Sequence, residues 1–241
     1  MNTRRKGRSL ARYSLFGRRD RSRTTDAESV VVIGLGRFGS ALALELMRGG
    51  TEVLGIDGDE DIVQAHNSLL THVVRADSTR EATLRELSVP EFSSVVVAIG
   101  GDIQANILTS SLLLKLGIGN IWVKAVSDAH GEILSQLGVQ HVIYPEKDMG
   151  KRVAHLVRGA MQDYIEIGEN FALVKTAPPA LLIGVPLGEA RIRATHGVTV
   201  TAFHREGVGW SYTTLDTVIL DGDVILIAGQ SEKVEAFSRL R

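Results

Sequence analysis

Residues 29–39, SVVVIGLGRFG, decide the fold of this 241-residue chain. The β-branched run at 29–33 predicts a short strand that is buried on both faces and leads directly into a glycine turn. Gly34 permits the tight turn, Gly36 lets a phosphate group approach the backbone, and Gly39 lets the following helix pack closely against the strand. This order of strand, glycines and helix predicts a site for the phosphates of a nucleotide.

Charged residues near the turn restrict which nucleotide fits. Asp57 ends the second predicted strand, where a carboxylate accepts hydrogen bonds from both ribose hydroxyls and disfavours a 2′-phosphate. Arg37 lies within the turn and adds a positive charge beside the phosphates. That charge suits a nucleoside polyphosphate better than the less charged NAD. The alternative is a turn that is merely tight and holds no nucleotide.

Apolar strands alternate with helical segments as far as residue 144. The alternation predicts parallel βαβ units with right-handed crossovers, and therefore an α/β fold with a doubly wound, Rossmann-type sheet. The predicted strands are 29–33, 51–56, 71–75, 94–99, 120–126 and 141–144. The predicted helices run from the turn to Gly49-Gly50 and then over 60–66, 79–87, 103–116 and 129–137.

After residue 147 the pattern changes to that of a small, β-rich α+β lobe. An amphipathic helix is predicted over 150–161, either as a crossover between lobes and protomers or as the last helix of the first sheet. The later helices are predicted at 187–195 and at 231–240, with Ser231 as the N-cap of the last one. The predicted strands of this lobe are 164–168, 171–176, 198–204, 209–212 and 224–228.

Composition excludes several classes of function. The chain is 44% hydrophobic and 23% charged, as ordinary globular proteins are, and no apolar run is long enough for a transmembrane helix. It has no cysteine, which excludes disulfides, thiolate metal sites and cysteine catalysis. Aromatic residues make up only 5%, which disfavours a surface that stacks on single-stranded nucleic acid. No HExxH motif and no recognisable Ser, His and Asp set is present, so an enzyme is disfavoured.

The net charge of −1 conceals a basic N-terminal tail. Residues 1–25 carry nine basic groups and one acid, whereas the rest of the chain is acidic. The tail lacks the apolar run of a secretory signal. We expect residues 1–28 to be a solvated, disordered extension; the alternative is a polybasic arm that contacts an anionic membrane or another polyanion.

Three segments of the chain resemble the RCK (also called KTN) domain family. They are VVIGLGRFGSALALELMRGGTEVLGID at 31–57, IGGDIQANILTSSLLLKLGIGNIWVKA at 99–125 and VIYPEKDMGKRVA at 142–154. The combination is similar to the KtrA-like regulatory subunits of bacterial Ktr/Trk potassium-uptake systems. The resemblance implies a cytoplasmic protein without enzymatic activity that binds ATP or ADP and forms dimers that assemble into an octameric ring. It also implies a membrane-embedded KtrB/TrkH-like channel subunit as partner. In this family ATP favours the conducting state of the channel, and ADP favours the closed state.

The resemblance also implies roles for single residues. Arg37 matches an arginine that reaches the nucleotide phosphates, and Asp57 matches the acid that binds ribose. Asp77 matches a position that borders the adenine; its alternative is the N-cap of the helix at 79–87. Glu146 matches an acid that reaches a Mg²⁺ or Ca²⁺ ion shared with the neighbouring subunit's phosphates, and its alternative is a first-turn helix acid. The remaining residues assigned to the nucleotide site are Gly34, Gly36, Phe38, Gly39, Asp59 (where relatives often have Asn), Ser78, Ile99, Gly100 and Lys124.

Some members of this family bind cyclic di-AMP between two C-terminal lobes. The matching stretch is 187–194, LGEARIRA. Arg193 falls where relatives carry an arginine that contacts phosphate, and Arg191 is placed to assist. Gly188 replaces a bulky aliphatic residue of the relatives, which thins the apolar wall around a base. A plain dimer interface is the alternative for this stretch.

The expected organisation has four parts. The basic tail at 1–28 is followed by a nucleotide-binding RCK N-lobe at 29–148, a crossover or linker helix at 149–165 and an RCK C-lobe at 166–241. The function expected from it is that of a nucleotide-sensing gating subunit, located in the cytoplasm against the inner face of the cell membrane. The alternative is an NAD-dependent oxidoreductase that uses the same Rossmann lobe.

Overall fold

The structure, a computed structural model, describes residues 29–158 and 160–240. The expected basic tail at 1–28 lies outside the described residues. Two compact units divide the chain between Pro145 and Glu146. None of the helices in the described ranges is long and apolar enough to cross a membrane.

The first unit is a parallel six-stranded sheet with the strand order β3-β2-β1-β4-β5-β6. Its strands are β1 (Ser29–Ile33), β2 (Glu52–Asp57), β3 (His72–Arg75), β4 (Ser94–Val97), β5 (Ile121–Lys124) and β6 (His141–Ile143). Its α-helices are α1 (Arg37–Arg48), α2 (Glu60–His66), α3 (Glu81–Glu86), α4 (Ile103–Lys115) and α5 (Asp128–Leu137), with a 3₁₀ turn at Val89–Glu91. The predicted doubly wound, Rossmann-type sheet is confirmed.

Burial on both faces explains why the strands of this sheet are continuous apolar runs. In β1, Val31 and Ile33 belong to the core on one side of the sheet, whereas Val30 and Val32 belong to the core on the other. The strand order changes direction between β1 and β4, so the helices that follow these two strands lie on opposite faces. The carboxyl ends of β1 and β4 therefore open a crevice, and the glycine turn lies in it.

The second unit is an antiparallel five-stranded sheet with the strand order β10-β9-β11-β8-β7. Its strands are β7 (Met161–Glu166), β8 (Phe171–Thr176), β9 (Val198–Arg205), β10 (Gly209–Tyr212) and β11 (Val224–Gln230). Its helices are α6 (Pro145–Arg158), α7 (Leu187–Ala190), α8 (Ile192–His196) and α9 (Ser231–Ser238), with a 3₁₀ turn at Ala180–Leu182. One sheet face packs a core around Tyr164, Ile225 and Phe237, which are almost fully buried. The predicted β-rich α+β lobe is confirmed.

The helix predicted at 150–161 is misplaced at both ends. It begins at Pro145, because proline fits the first helical position, where its missing N–H costs nothing. It ends at Arg158, and Met161 is instead the first residue of β7.

Two further sequence predictions for the second unit are wrong. The helix predicted at 187–195 is interrupted at Arg191, whose backbone is left-handed with φ of 48°, so α7 and α8 are separate short helices. Ser231 is the first helical residue of α9 and not its N-cap, a position that Gln230 occupies without a side-chain hydrogen bond.

Candidate functional site

A cavity of about 800 Å³ opens at the carboxyl edge of the parallel sheet. It lies where β1, β2, β3 and β4 end, which is the position at which doubly wound sheets bind ligands. Among the residues assigned from the sequence, those that line it are Gly34, Gly36, Asp57, Asp77, Ser78, Ile99 and Gly100. Those of the same unit that do not line it are Arg37, Phe38, Gly39, Asp59 and Lys124.

The glycine turn has the geometry that the sequence predicts. Gly34 has a φ of 91°, which L-residues rarely adopt, and its N–H donates to the Ile56 carbonyl at 2.8 Å. A Cβ on Gly39 would lie only 1.9 Å from the Gly34 carbonyl oxygen, so this position requires glycine. A Cβ on Gly36 would meet nothing within 4 Å, so the backbone there is open to a ligand. Gly36 is also the N-cap of α1, and no side chain caps that helix.

Arg37 and Phe38 are the first two residues of α1. Arg37 is exposed, directly after the open Gly36. Because the first N–H groups of a helix lack partners within it, the start of α1 offers backbone donors and a partial positive charge to an anion. The arrangement supports phosphate binding at this end of the cavity.

The Asp57 carboxylate links the glycine turn to the end of β2. Its Oδ2 accepts a hydrogen bond from the Leu35 N–H at 2.6 Å, and its Oδ1 accepts one from the Asp59 N–H at 2.9 Å. Each carboxylate oxygen can accept a second hydrogen bond, so both can still receive a ribose hydroxyl. Asp57 is therefore both a structural residue of the turn and a candidate sugar ligand.

Asp59 serves as the N-cap of α2. Its Oδ1 accepts hydrogen bonds from the backbone N–H groups of Asp61 and Ile62, at 2.8 and 3.4 Å. It lies outside the cavity lining. The structure thus gives this carboxylate a helix-capping role, and contact with the sugar stays a prediction.

Asp77 is not the N-cap of α3, and that alternative was wrong. The helix begins at Glu81 with Arg80 as its N-cap. Asp77 Oδ1 instead accepts hydrogen bonds from the Thr79 hydroxyl at 2.6 Å and the Thr79 N–H at 3.0 Å. These two bonds hold the pKa of Asp77 below its ordinary value, so the carboxylate at the cavity wall is ionised at neutral pH.

Polar contacts hold two lining residues of the cavity, Ile99 and Ser78, in place. Asn106 on α4 donates through Nδ2 to the carbonyl oxygens of Ile99, at 2.8 Å, and Lys124, at 3.1 Å. Asn106 therefore ties together the ends of β4 and β5. Beneath the cavity wall, the buried hydroxyls of Ser78 and Thr109 are 2.9 Å apart.

Lys124 lies close to the cavity without lining it. The residue is only 9% exposed. Its Nζ lies 3.1 Å from the position that a Cβ on Gly100 would take and 5.8 Å from the centroid of the Phe38 ring. The ammonium group therefore adds positive charge at the Gly100 side of the crevice.

Several lining residues were missed by the sequence reasoning, and Arg75 is the most informative of them. It ends β3 and forms hydrogen bonds from Nε to the Gly58 carbonyl and from Nη1 to Glu60 Oε2, both at 3.1 Å. A charged residue at the end of a parallel strand is a signal that could have revealed it, because strand ends of this kind face the ligand crevice. The other lining residues that were missed include Ile62, Thr79 and Asp102.

The second unit has its own cavity, of about 640 Å³. Arg191 and Arg193 both line it and are exposed, so the two arginines assigned from the sequence do come together. Its other lining residues include Leu187, Gly188, Thr199, Thr201, Thr213 and Thr214. Two guanidinium groups with several hydroxyls can bind an anionic, polar ligand.

Glu146 lies in the first turn of α6 and is exposed. An acid at this position interacts favourably with the helix dipole, which is the alternative that the sequence left open. Within residues 29–158 and 160–240, no group of three His, Cys, Asp or Glu side chains is placed to hold a metal ion. A cation at Glu146 would therefore need further ligands besides the side chains of the described residues, such as nucleotide phosphates. The assignment of Glu146 to a cation stays a prediction.

The chain matches two domain families, the TrkA-N domain at residues 30–145 and the TrkA-C domain at residues 171–241. It is 39% identical over 210 residues to the Ktr system potassium uptake protein C of Bacillus subtilis strain 168, covering 86% of this chain and 95% of that protein. It is 36% identical to the Ktr system potassium uptake protein A of the same organism, covering 86% of this chain and 93% of that protein. It is 31% identical to the Ktr system potassium uptake protein A of Vibrio alginolyticus, covering 87% of this chain and 96% of that protein.

Among solved structures, the chain is similar to the RCK domain of GsuK, with a TM-score of 0.61 and 17% identity over 90% of this chain. It is equally similar to the GsuK channel bound to NAD, again with a TM-score of 0.61 and 17% identity. This chain spans about half of the first of those chains (48%) and 40% of the second. At this level of identity the similarity establishes the RCK fold.

Proposed function

This chain belongs to the family of proteins that carry a TrkA-N and a TrkA-C domain, and we propose that it is the nucleotide-sensing gating subunit of a potassium-uptake system. The observation that carries the proposal is the near-complete match to the Ktr system protein C, with 39% identity over 95% of that protein's length. The cavity of about 800 Å³ beside the glycine turn supports the proposal, because it offers space for a ligand. The proposed partner is a KtrB/TrkH-like channel subunit in the membrane, against whose cytoplasmic side this chain is held.

The proposed ligands are ATP and ADP. The open backbone at Gly36 and the start of α1 offer phosphate donors, and Arg37 and Lys124 add positive charge nearby. Asp57 can accept hydrogen bonds from ribose hydroxyls but repels a 2′-phosphate. Charge at the turn favours a polyphosphate over NAD.

Calorimetric titration of the purified chain tests the ligand. We expect ATP and ADP to bind in the micromolar range and NADH clearly more weakly. Replacing Asp57 with Asn removes charge-assisted hydrogen bonds to ribose and should weaken ATP binding by about 1 to 3 kcal/mol. NADH that binds tenfold more tightly than ATP, or steady oxidation of NADH with a carbonyl substrate, would instead favour the oxidoreductase alternative.

Transport tests the gating role. A bacterial strain that lacks its own potassium-uptake systems is supplied with a Ktr-type membrane subunit, with or without this chain. We expect growth at limiting potassium to depend on this chain and to be lost when Gly39→Ala disrupts the turn. Equal potassium uptake in the presence and absence of the chain would contradict the proposal.

A divalent cation is the proposed companion of ATP. Glu146 supplies a carboxylate oxygen, and the terminal phosphate of ATP supplies others, which are the hard ligands that Mg²⁺ and Ca²⁺ prefer. Thermal melting with ATP, with and without the metal, checks this. Glu146→Gln should abolish the extra stabilisation by metal; an unchanged metal effect would leave Glu146 as a helix acid.

Cyclic di-AMP is the proposed ligand of the cavity in the second unit, because Arg191 and Arg193 line it together. Binding of cyclic di-AMP should be lost in Arg193→Ala. If Arg193→Ala binds cyclic di-AMP as tightly as the original chain but dissociates into smaller assemblies, the stretch is a plain dimer interface.

A further inference from the structure

The nucleobase end of the crevice contains a residue that has no assigned role. The neighbouring strands β1, β2 and β3 end side by side, about 4.8 Å apart. The glycine turn follows β1, Asp57 ends β2, and Arg75 ends β3. A nucleotide whose phosphates lie at the turn and whose ribose lies at Asp57 therefore places its base toward Arg75.

Register strengthens this placement. Asp57 and Arg75 are direct partners in the parallel ladder between β2 and β3. Paired residues of neighbouring strands project from the same face of a sheet, and both of these residues line the cavity. Arg75 is thus one strand further from the phosphates than the sugar-binding acid.

The contacts of Arg75 leave its guanidinium available to a base. Nε is used by the Gly58 carbonyl and Nη1 by Glu60, both at 3.1 Å, so the planar group is held across the loop between β2 and α2. These in-plane bonds leave the two faces of the plane, and Nη2, for a ligand. Guanidinium planes stack on aromatic rings and bases.

Stability does not explain the arginine at this position. The side chains of Arg75 and Glu60 are 60% and 50% exposed, and ion pairs this exposed contribute little to folding. We propose that Arg75 is a specificity-determining residue that stacks its guanidinium on the nucleobase. The assignment rests on the proposed function, because it requires a nucleotide in this crevice.

The test separates binding of the base from binding of the phosphates. ATP, adenosine and inorganic tripolyphosphate are each titrated as competitors of a fluorescent ATP analogue, with the full chain and two variants. Arg75→Ala removes both plane and charge, whereas Arg75→Lys keeps the charge and removes the plane. We expect adenosine to bind about tenfold more weakly to both variants, and tripolyphosphate to bind as it does to the original chain.

A matched control excludes a general effect of losing a surface arginine. Arg85 is as exposed as Arg75, at 60%, and also pairs with a glutamate, but it lies outside the cavity lining. Arg85→Ala should leave the binding of all three competitors unchanged. The loss of adenosine affinity caused by Arg75→Ala should also persist in high salt, because salt screens stacking less than it screens a contact with phosphate.

Three outcomes would overturn the assignment. Unchanged adenosine binding in both variants would leave Arg75 as an exposed ion-pair residue. Weaker tripolyphosphate binding in the variants would make Arg75 a phosphate ligand. Full adenosine binding in Arg75→Lys would show that only its positive charge matters. An original chain that binds neither ATP nor adenosine would contradict the proposed function itself, which distinguishes the two failures.

Discussion

Two glycines of the phosphate turn have opposite requirements, although they are only three residues apart. A methyl group on Gly39 would overlap the Gly34 carbonyl at 1.9 Å, so Gly39→Ala should lower the free energy of unfolding by about 3 kcal/mol. A methyl group on Gly36 meets nothing within 4 Å, and the φ of −64° there suits alanine. Gly36→Ala should therefore leave stability unchanged, or raise it by up to about 1 kcal/mol, while weakening ATP binding. Denaturant unfolding and titration of both variants check this; a stable Gly39→Ala protein would contradict the turn geometry.

Single residues of the site divide into those that the sequence could reveal and those that it could not. Gly34 and Gly39 were predictable because local backbone geometry dictates residue type at a strand–turn–helix junction, and Asp57 because an acid at the end of the next strand completes the pattern. The position of Arg75 at the end of β3 is visible in the sequence, but its partners are not, because they depend on pairing between β2 and β3 and on a side chain that crosses a loop. The position of the Lys124 side chain near Gly100 depends likewise on the packing of separate strands.

Among secondary-structure elements, the buried strands were the easiest to predict and the helix ends the hardest. β1 and α2 match their predicted bounds, since a β-branched run and a capped amphipathic turn are local signals. The start of α6 was missed because Pro145 can end one element or begin another, and the sequence does not decide between them. The break at Arg191 was missed because arginine rarely adopts a left-handed backbone, so its residue type gives no signal of a break there.

A partly buried ion pair links β9 to the turn before β11 and makes the stability of the second unit depend on pH. Arg205 on β9 holds Asp223 through two hydrogen bonds of 2.8 and 2.7 Å, and the Leu220 N–H donates to the same carboxylate at 2.8 Å. These contacts hold the pKa of Asp223 below its ordinary value. The folded state therefore stabilises the ionised carboxylate. This stabilisation is fully present at a pH above the unfolded-state pKa of about 3.9, and it is lost as the pH falls through the lower pKa of the folded state.

Replacing Asp223 with Asn should reveal this pH dependence. At pH 7 the variant should unfold at a lower denaturant concentration than the original chain, and the difference should shrink as the pH falls below about 4. Trp210 fluorescence in a Trp122→Phe background reports on the second unit alone, because the chain has only two tryptophans. Asp221→Asn, an exposed change in the same turn, is the control and should have no such effect. If the difference in unfolding denaturant concentration between Asp223→Asn and the original chain is the same at every pH, Asp223 contributes by packing and not by charge.

Helix α6 is firmly attached within the second unit, which matters for any signal that it transmits. Arg152 Nη2 lies 2.5 Å from Asp163 Oδ1 on β7, and His155 Nδ1 lies 2.6 Å from Glu235 Oε1 on α9. The His155 ring also stacks on Tyr164, with 4.0 Å between ring centroids. A displacement of α6 would therefore be passed to both the sheet and the last helix of that unit.

For the whole molecule, the proposed gating requires that ATP and ADP stabilise different shapes of the assembled protein. A ligand that binds both shapes equally shifts nothing, so the single phosphoryl group by which the two nucleotides differ must supply the bias. A change in the populations of the two shapes from 1:99 to 99:1 needs about 5.5 kcal/mol, which the proposed octameric ring would reach with about 1 kcal/mol per subunit. Small-angle scattering of the assembled chain should thus give different curves with saturating ATP and with saturating ADP. The difference should vanish in Arg37→Ala, which removes the charge beside the phosphates, and persist in Arg48→Ala at the other end of the same helix, where the arginine pairs with Glu45. Superimposable ATP and ADP curves for the unaltered chain would make the nucleotide a structural ligand and leave gating to another signal.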